Sequence, residues 1–587
     1  MYNPRVIFVC ILLLGIFFRF WHITDIPPGL YPDEAMNGSN ALQALESGDF
    51  RAYYTDNNGR EGLFINLQAL AVLFLGNEAW VLRFVSALFG LLAVWGIYML
   101  TRELFQKENS EYGIWNLAQK KQNSKFPAYR TGRQIPNSEL IALLASFFLA
   151  TSYWHITLSR IGFRAITTPA FSILAFYFLF RGMRKNSMLD FALSGIMIGL
   201  GLNGYIAFRF IPFAFAVPIL IGLWKWWKER TDDTERKTSS SRLSEDNVGM
   251  VNEENRERKA PQTCFPCAVV LMGIFTIVAS MPLIMYFTEH PENFATRTGQ
   301  VSVFADKHPI RAFAVSNIKT IGMLTVFGDC NPRHNFPCLP VLHPLVAIAF
   351  LYGLFMIIKK RGGFASPTII AWLLVMMLPA TLTRESMPHA LRSIGMIPPV
   401  MIIAGFGAYA LWEKLVSKKK IPLMPPFLKG ELLPLKKGGW EGLIILLLLT
   451  SIPLTTGYLY FAVWAKTPFT ASAFSQDLSE LAMYVRSLPK ETVKYLIVDL
   501  DYDALPVSAQ SVVFLTNTAT PQSQKEYNVV YLSRVNTARH IMLENTPTII
   551  GFVAFHDNTL EQELERTFPS LVKETRGGFT VFVYQPR

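Results

Sequence analysis

The chain lacks the features of a removable signal peptide, although an apolar run from Val6 to Trp21 lies close to its start. Arg5 is the only basic residue ahead of that run, so a basic n-region is missing. The residues that follow, Trp21-His22-Ile23, offer no small-residue cleavage site. We therefore expect the run to be retained as a membrane helix.

Charged residues are scarce, at 17% of the 587 residues, whereas 51% are hydrophobic. The long apolar runs lie between residues 6 and 462. A bilayer core about 30 Å thick requires about 20 apolar residues per helix, which predicts about eleven membrane spans. They are expected near residues 6–21, 80–100, 139–154, 168–182, 189–206, 210–227, 265–287, 343–358, 366–382, 393–412 and 441–463.

Lys and Arg are unevenly distributed over the connecting loops, and the alternate loops carry few of them. By the positive-inside rule the basic loops are cytoplasmic. The loops at 22–79 and 288–342 and the C-terminal segment are then outside, at a plasma membrane. The Lys and Arg residues of these cytoplasmic loops largely account for the net charge of +12, so this charge indicates no nucleic-acid partner. The basic loops are 102–138, 181–188, 225–262, 359–361 and 413–440.

The predicted fold is an α-helical polytopic membrane domain over residues 1–463, followed by a small extracytoplasmic α/β domain over 464–587. In the second domain, helical spacing alternates with strand-like runs. Two cytoplasmic loops offer no site. Residues 228–262 are charged and Ser-rich, as in disordered segments, and residues 413–440 are a low-complexity Pro/Gly/Lys linker. Helices are predicted at Ser475–Ser487 and Leu560–Phe568, strands at Tyr495–Val498, Asn528–Leu532 and Phe579–Tyr584, and a further apolar run spans Thr548–Phe555.

An acidic pair, Asp33 and Glu34, follows the first predicted span within Gly29–Ala35. A carboxylate at the bilayer centre costs about 2.5–3.5 kcal/mol, so acids are kept outside the hydrocarbon unless function holds them there. Pro32 suits the first position of a helix, and Asp33 then lies at its positive end. The pair is either an acidic helix start and nothing more, or a carboxylate placed to accept a proton.

The predicted outer loops contain a small set of basic residues. Taken singly, each of these residues has a second interpretation, as an interfacial anchor to lipid headgroups. As a set beside an acidic pair they favour a phosphate-linked substrate, because the Arg fork binds phosphate oxygens bidentately. The candidate substrate-binding residues are Arg60, Arg160, Arg164, Arg209, Arg333, His334, His389 and Arg392.

Cys330, His334, Cys338 and His343 are spaced as a zinc set would be. On an oxidising side of the membrane a disulfide between Cys330 and Cys338 is another open interpretation, and unpaired or structural roles for these residues are a third.

These features together resemble the GT-C superfamily of polytopic glycosyltransferases, in particular the protein O-mannosyltransferase and lipid A aminoarabinose transferase group. The resemblance covers roughly residues 5–412, and its most specific element is the acidic pair. Where this group often has Lys or Glu followed by Pro, the chain has Arg60-Glu61-Gly62. The matching motifs are Tyr31-Pro32-Asp33-Glu34, Asn58-Gly59-Arg60-Glu61-Gly62-Leu63-Phe64, Leu82-Arg83-Phe84-Val85-Ser86, Ser159-Arg160, Gly328-Asp329-Cys330-Asn331-Pro332-Arg333-His334-Asn335 and Pro388-His389-Ala390-Leu391-Arg392.

The resemblance implies an inverting glycosyltransferase that takes a sugar from a polyprenyl-phosphate donor, without a cofactor or a required metal. The acceptor is a glycan, lipid or protein of the cell envelope. Asp33 and Glu34 are then the catalytic candidates, with Asp33 as base and Glu34 either contacting the acceptor or orienting an arginine. Alternatives are a polysaccharide polymerase or ligase of the same architecture, a catalytically dead scaffold, and a transporter. No inverted repeat with paired broken helices supports the last.

The C-terminal domain is expected to contribute to acceptor choice rather than to chemistry. Its Asp499 and Asp501 form a D-x-D pattern, which holds a metal–nucleotide sugar in soluble glycosyltransferases. Here it is expected to face outside, where nucleotide sugars are scarce.

Overall fold

The structure is a computed structural model that describes residues 3–106, 137–244, 264–294, 303–359, 365–383, 386–419, 439–499, 505–534 and 537–586. The predicted basic loops at 102–138, 225–262, 359–361 and 413–440 lie partly outside these ranges, as does Asp501 of the D-x-D pattern.

The helices of the first part follow the predicted spans. They are α1 Pro4–Phe20, α2 Pro32–Ser47, α3 Gly62–Leu75, α4 Ala79–Leu104, α5 Asn137–Thr151, α6 Tyr153–Ser159, α7 Thr167–Lys185, α8 Met188–Leu202, α9 Ile211–Ser244, α10 Phe265–Glu289, α11 Pro309–Thr325, α12 Pro344–Lys359, α13 Ala365–Val375, α14 Leu378–Thr381, α15 Ile397–Lys419 and α16 Gly439–Gly457.

Within the described ranges, six helices are long and apolar enough to cross a membrane, or up to seven if the pair α5 and α6, bent by 58°, is one span. Every predicted span coincides with a helix, but several, such as α8 and α12, are shorter apolar helices. A polytopic helical membrane protein is therefore confirmed, and the count of eleven spans stays a prediction.

Two buried arginines tie the first helix to the break between α5 and α6. Arg19 on α1 donates to the carbonyl oxygens of Ala150 at 3.2 Å and Leu149 at 3.3 Å, and contacts His155 Nδ1 at 2.7 Å. These carbonyls belong to the last turn of α5, where the bend removes their helical partners. Arg19 therefore caps a helix end that the chain breaks inside the bundle.

Arg160, directly after α6, makes the reciprocal contact. Its guanidinium donates to backbone oxygens of Phe18, Trp21, His22 and Ile26, at distances between 2.8 and 3.1 Å. Its side chain is fully buried, and the guanidinium lies 5.5 Å from the centroid of the Tyr460 ring. Arg160 thus caps the end of α1 and fixes the chain that leads to α2.

The two ends of the helical bundle carry different loops. One end holds ion pairs of the basic set: Arg102 with Glu139 at 3.1 Å, Arg181 with Asp190 at 3.3 Å, and Arg184 with Glu103. At the other end, the segments around Asp33, Glu61, Asp329 and His389 and the C-terminal residues contact one another. Alternate loops therefore meet at the same end, as the charge pattern predicts.

The C-terminal part contains a five-stranded mixed sheet with order β4-β3-β5-β7-β6. The predicted helices and strands of this part are present, and the sheet gains an additional edge strand, β6, that the sequence pattern did not indicate. Strands β1 Tyr53–Tyr54 and β2 Arg60–Glu61 form a short hairpin between α2 and α3. The elements of the C-terminal part are α17 Pro468–Ala473, α18 Gln476–Ser487, β3 Val493–Val498, α19 Gln510–Leu515, α20 Pro521–Glu526, β4 Val529–Ser533, α21 Thr537–His540, β5 Thr548–Phe552, α22 Asn558–Thr567, β6 Val572–Arg576 and β7 Phe579–Tyr584.

Helices α18 and α19 pack directly on the segment that carries the acidic pair. The Leu30 amide donates to Ser479 Oγ at 2.8 Å, and Ser511 Oγ donates to the Leu30 carbonyl at 2.7 Å. A Cβ on Gly38, in the middle of α2, would lie 2.5 Å from the Phe514 ring, so glycine permits this close approach. These contacts show that the C-terminal part also packs against the segment that leads into α2, and its contribution to acceptor choice stays a prediction.

We predict that Arg160→Ala destabilises the protein. Each buried acceptor that loses its donor costs roughly 1–3 kcal/mol, and Arg160 serves several carbonyl oxygens. Thermal unfolding in detergent should therefore begin at a clearly lower temperature than in the parent. Arg311→Ala, at an exposed position on α11, is the matched control. An unchanged unfolding temperature together with weaker donor binding would return Arg160 to the substrate-binding set.

We also predict that Gly38→Val lowers the unfolding temperature, because the added side chain meets Phe514 across the α2–α19 contact. Phe514→Ala in the same chain makes room, so the double variant should lose less stability than the sum of the two single variants. Gly322→Val is the control, because a Cβ there meets nothing within 4 Å. Strict additivity would argue against a direct contact between α2 and α19.

Candidate active site

Asp33 lies in the first turn of α2, which begins at Pro32 as the sequence predicts. The side chain is half-buried, and Oδ1 accepts a hydrogen bond from Asn57 Nδ2 at 2.8 Å. Among the described residues, no donor contacts Oδ2. One carboxylate oxygen at the positive end of a helix thus remains available to a substrate.

Glu34, the other half of the acidic pair, is fully buried. Its Oε2 accepts hydrogen bonds from Arg83 Nε at 3.1 Å and from the Gly162 amide at 2.8 Å. Arg83 in turn donates to the Pro27 carbonyl at 2.7 Å and the Gly29 carbonyl at 2.6 Å. Of the two roles predicted for Glu34, this geometry favours the orientation of an arginine. That arginine is Arg83, which was not among the predicted site residues.

A first basic cluster, made of Arg60, Arg164 and Arg209, surrounds Glu61 in the hairpin that precedes α3. Arg164 Nε contacts Glu61 Oε2 at 3.1 Å, and Arg209 Nη2 contacts Glu61 Oε1 at 3.4 Å. The two guanidiniums also lie over the rings of Tyr205 and Phe294, at 5.6 and 4.8 Å from the ring centroids. Glu61, a buried carboxylate with two arginine partners, was absent from the predicted site.

Arg60 is buried beside this pair. Its guanidinium donates to Asn37 Oδ1 at 2.6 Å and to Asn40 Oδ1, both on α2. Burial, followed by the charge of Arg164, lowers the pKa of Arg60 to about 10, and Asp33 acts weakly in the opposite direction. Arg60 therefore links the helix of the acidic pair to the first basic cluster.

A second basic cluster consists of Arg333, His334, His389 and Arg392. The Arg333 guanidinium lies 4.0 Å from the centroid of the Tyr31 ring, and its Nε donates to Asn331 Oδ1 at 3.2 Å. Burial raises the pKa of Tyr31, and the charge of Asp33 raises it further while Arg333 opposes the shift. Tyr31 thus stands between the acidic pair and this cluster.

The imidazoles of His334 and His389 stack, with ring centroids 4.8 Å apart and planes at 24°. His334 Nδ1 lies 3.0 Å from Asp329 Oδ2, which also accepts the Ala390 amide at 2.8 Å. Desolvation lowers the pKa of both histidines below the usual range, and most strongly that of His389. The rings are therefore neutral at pH 7. Asp329 matched the sequence motif but was not predicted to be a site residue.

A disulfide joins Cys330 to Cys338. The two cysteines are therefore not available to a zinc ion, and of the two interpretations left open by the spacing the structure has the disulfide. His343 Nδ1 accepts the Leu345 amide at 3.3 Å, away from the His334 pair.

Arg392 Nη1 donates to Thr383 Oγ1 at 2.7 Å, and its backbone amide contacts His389 Nδ1 at 3.4 Å. Of the predicted residues, the structure gathers Asp33, Arg60, Arg164, Arg209, Arg333, His334, His389 and Arg392 into the two clusters and the helix between them. Arg160 is not brought to this site, because its donors are used by the backbone at the end of α1. In sequence, Arg83 and Glu61 belong to the motifs that carry the resemblance, but neither was assigned a role at the site.

Comparison with known proteins agrees with this architecture. Residues 126–232 match the model of the dolichyl-phosphate-mannose-protein mannosyltransferase family. No curated protein matches the chain in sequence. The crystal structure of ArnT from Cupriavidus metallidurans in the apo state is 13% identical with a TM-score of 0.54, and 99% of each chain is covered.

The same ArnT bound to undecaprenyl phosphate gives 13% identity and a TM-score of 0.55, with 99% of each chain covered. The archaeal oligosaccharyltransferase AglB from Archaeoglobus fulgidus, in complex with an inhibitory peptide and a dolichol-phosphate, is 13% identical with a TM-score of 0.45, over 94% of this chain and 69% of that one. At such identities the likeness concerns the fold. The predicted resemblance is therefore confirmed, and the chain is a polytopic membrane protein with the fold of the GT-C superfamily of glycosyltransferases.

Proposed function

We propose that this protein is an inverting glycosyltransferase that moves a sugar from a polyprenyl-phosphate donor to a cell-envelope acceptor at the outer face of the membrane. The observation that carries the proposal is the position of Asp33. It has a carboxylate oxygen free of described donors, at a helix start, between two basic clusters. The fold shared with ArnT, which has been solved with bound undecaprenyl phosphate, supports a lipid phosphate as carrier.

The reaction requires a base and a stabilised leaving group. The acceptor hydroxyl oxygen attacks the anomeric carbon, the bond from that carbon to the phosphate oxygen breaks, and the hydroxyl proton passes to Asp33. Attack from the face opposite the leaving group gives inversion. Asp33 suits the role because its carboxylate is only half-buried, so an oxygen can meet the incoming hydroxyl. Glu34 is fully buried beside Arg83, and Glu61 is paired with two arginines.

The leaving polyprenyl phosphate gains negative charge as the bond breaks, so it needs cations rather than a strong acid. We assign the phosphate to the second basic cluster. Arg333 contacts only neutral groups among the described residues, namely Asn331 and Tyr31, and so retains its charge for an anion. Arg392 and His389 lie next to it. In the first basic cluster Glu61 already neutralises part of the charge, which suits an acceptor contact better.

The proposed outer face follows from loop charge and from the arrangement of the two ends. The ion pairs at one end involve residues of the Lys- and Arg-rich loops, which the positive-inside rule puts in the cytoplasm. Asp33, both basic clusters and the C-terminal sheet belong to the opposite end. The donor headgroup is then presented from the outer leaflet, and the acceptor arrives from outside.

We predict that Asp33→Asn abolishes most of the transfer while the protein still folds and inserts. Asn keeps the shape and can bond to Asn57, but it cannot take the proton, and loss of a general base typically costs about 10²–10⁴-fold in rate. Turnover of a polyprenyl-phosphate sugar by purified protein in lipid nanodiscs measures the effect. Asp25→Asn, an exposed aspartate in the same loop, is the matched control. Near-parental turnover by Asp33→Asn would remove Asp33 from this role.

We predict that Arg333→Ala weakens both donor binding and turnover, and that Arg333→Lys recovers only part of the loss because it lacks the bidentate fork. One charged hydrogen-bond contact is worth about 1.5–3 kcal/mol, so the expected change is roughly 10–150-fold. Donor titrations at fixed acceptor measure it. Arg311→Ala, on the same side of the bundle and exposed, controls for loss of positive charge. If Arg333→Ala matched the control, Arg333 would be an interfacial anchor.

A further inference from the structure

We propose that Asp329, His334 and His389 form a binding site for a divalent cation of the zinc type, next to the second basic cluster. Each of the three side chains offers one ligand atom, and these atoms lie within 4.8 Å of one another. All three residues are buried. The existence of the site does not depend on the transfer reaction, whereas any role of the cation at the donor phosphate rests on the proposed function.

The sequence pattern pointed elsewhere. Its zinc-like spacing combined His334 with Cys330, Cys338 and His343, but the cysteines are joined to each other. The partner that His334 finds instead is His389, which is 55 positions further along the chain, and only the fold brings the two together. For this reason the residues were expected to bind substrate, with no metal.

Asp329 and His334 already face each other. Asp329 Oδ2 lies 3.0 Å from His334 Nδ1, so a cation bound by both atoms would take the place of the hydrogen bond between them. Only 5% of the His334 surface is exposed, which removes this pair from bulk water.

His389 supplies the second imidazole. His389 is buried, and its ring lies nearly parallel to that of His334. A neutral imidazole always presents one lone pair. The one contact of its Nδ1 is the Arg392 amide at 3.4 Å, a long hydrogen bond that a cation could replace at little cost.

The loop around these residues is rigid before any ligand arrives. The Cys330–Cys338 disulfide closes it, and Asn335 Nδ2 donates to the Asp329 carbonyl at 3.2 Å and the Leu339 carbonyl at 2.6 Å. Ala390, the neighbour of His389, donates its amide to Asp329 Oδ2 at 2.8 Å and so joins the two segments. Ligands held in place by the fold lose little freedom on binding.

Arg333 and Arg392 work against a cation, since both lie close enough to act on the two histidines. The carboxylate of Asp329 offsets only part of this charge. We therefore expect a weaker site than a closed structural zinc site, with open positions that a phosphate oxygen can fill. By linkage, inorganic phosphate and the cation should each strengthen the binding of the other.

The test uses full-length protein in detergent, stripped with a chelator and titrated with Co²⁺, whose visible absorption reports nitrogen and oxygen ligands in a low-coordinate site. We expect one saturable equivalent that Zn²⁺ displaces. His334→Ala and His389→Ala should each weaken binding at least tenfold, and Asp329→Asn should do the same because it removes the only carboxylate among the three proposed ligands. His308→Ala and His343→Ala are the matched controls and should bind as the parent does.

His389→Cys covers the case in which the alanine variants fold poorly, because a thiolate ligand adds an intense charge-transfer band to the Co²⁺ spectrum. Absence of saturable binding up to 1 mM Co²⁺, or binding that the His334 and His389 variants leave unchanged, would overturn the site. These readouts are independent of turnover. A failed metal titration therefore leaves the role of Asp33 intact, and an active Asp33→Asn variant leaves the metal site intact.

Discussion

The reciprocal capping by Arg19 and Arg160 is the constraint on which the rest of the arrangement depends. A break between α5 and α6 leaves backbone carbonyls without partners in a region that water does not reach, and the end of α1 has the same deficit. One arginine from each side supplies the missing donors. The two helix ends are thereby fixed relative to each other. Because Arg160 starts the segment that contains Gly162, this packing also fixes the backbone against which the acidic pair is built.

Gly162 connects this packing to the acidic pair, Asp33 and Glu34, whose two carboxylates have different surroundings. The Gly162 amide and Arg83 both bind Glu34, whose charge would be expensive to bury alone. Glu34 thereby anchors the first turn of α2 to the bundle. From the C-terminal part, Phe514 approaches Gly38 of the same helix, and Ser511 binds the Leu30 carbonyl just before it. Asp33, one residue earlier, is half-buried and is bound by the Asn57 amide. The surroundings of the two carboxylates, rather than residue type, separate the buried acid from the one that we propose for chemistry.

Local patterns predicted what depends on neighbours in sequence. The start of α2 at Pro32, the helices over the apolar runs and three of the five strands of the C-terminal sheet follow from spacing and turn chemistry, and β5 lies within a segment expected only as an apolar run. Strand β6 was not predicted because its residues, Val572–Arg576, are mostly charged and exposed at a sheet edge.

The roles of Arg160, Arg83 and Glu61 were not predicted for another reason. Each is defined by partners far away in the chain, and an arginine beside an apolar run has the same sequence signature whether it binds phosphate or caps a helix.

The charge balance of the two basic clusters bears on turnover as well as on binding. Each cluster contains its own carboxylate, Glu61 in the first and Asp329 in the second, so neither presents its full positive charge to a substrate. A polyprenyl-phosphate sugar carries one negative charge at its phosphodiester, but the released monoester gains a second. A site with uncompensated arginines would hold that product more tightly than the substrate, and release would then limit the rate. Under the proposed function, the internal carboxylates would reduce this difference, because they compete with the released phosphate for the neighbouring cations.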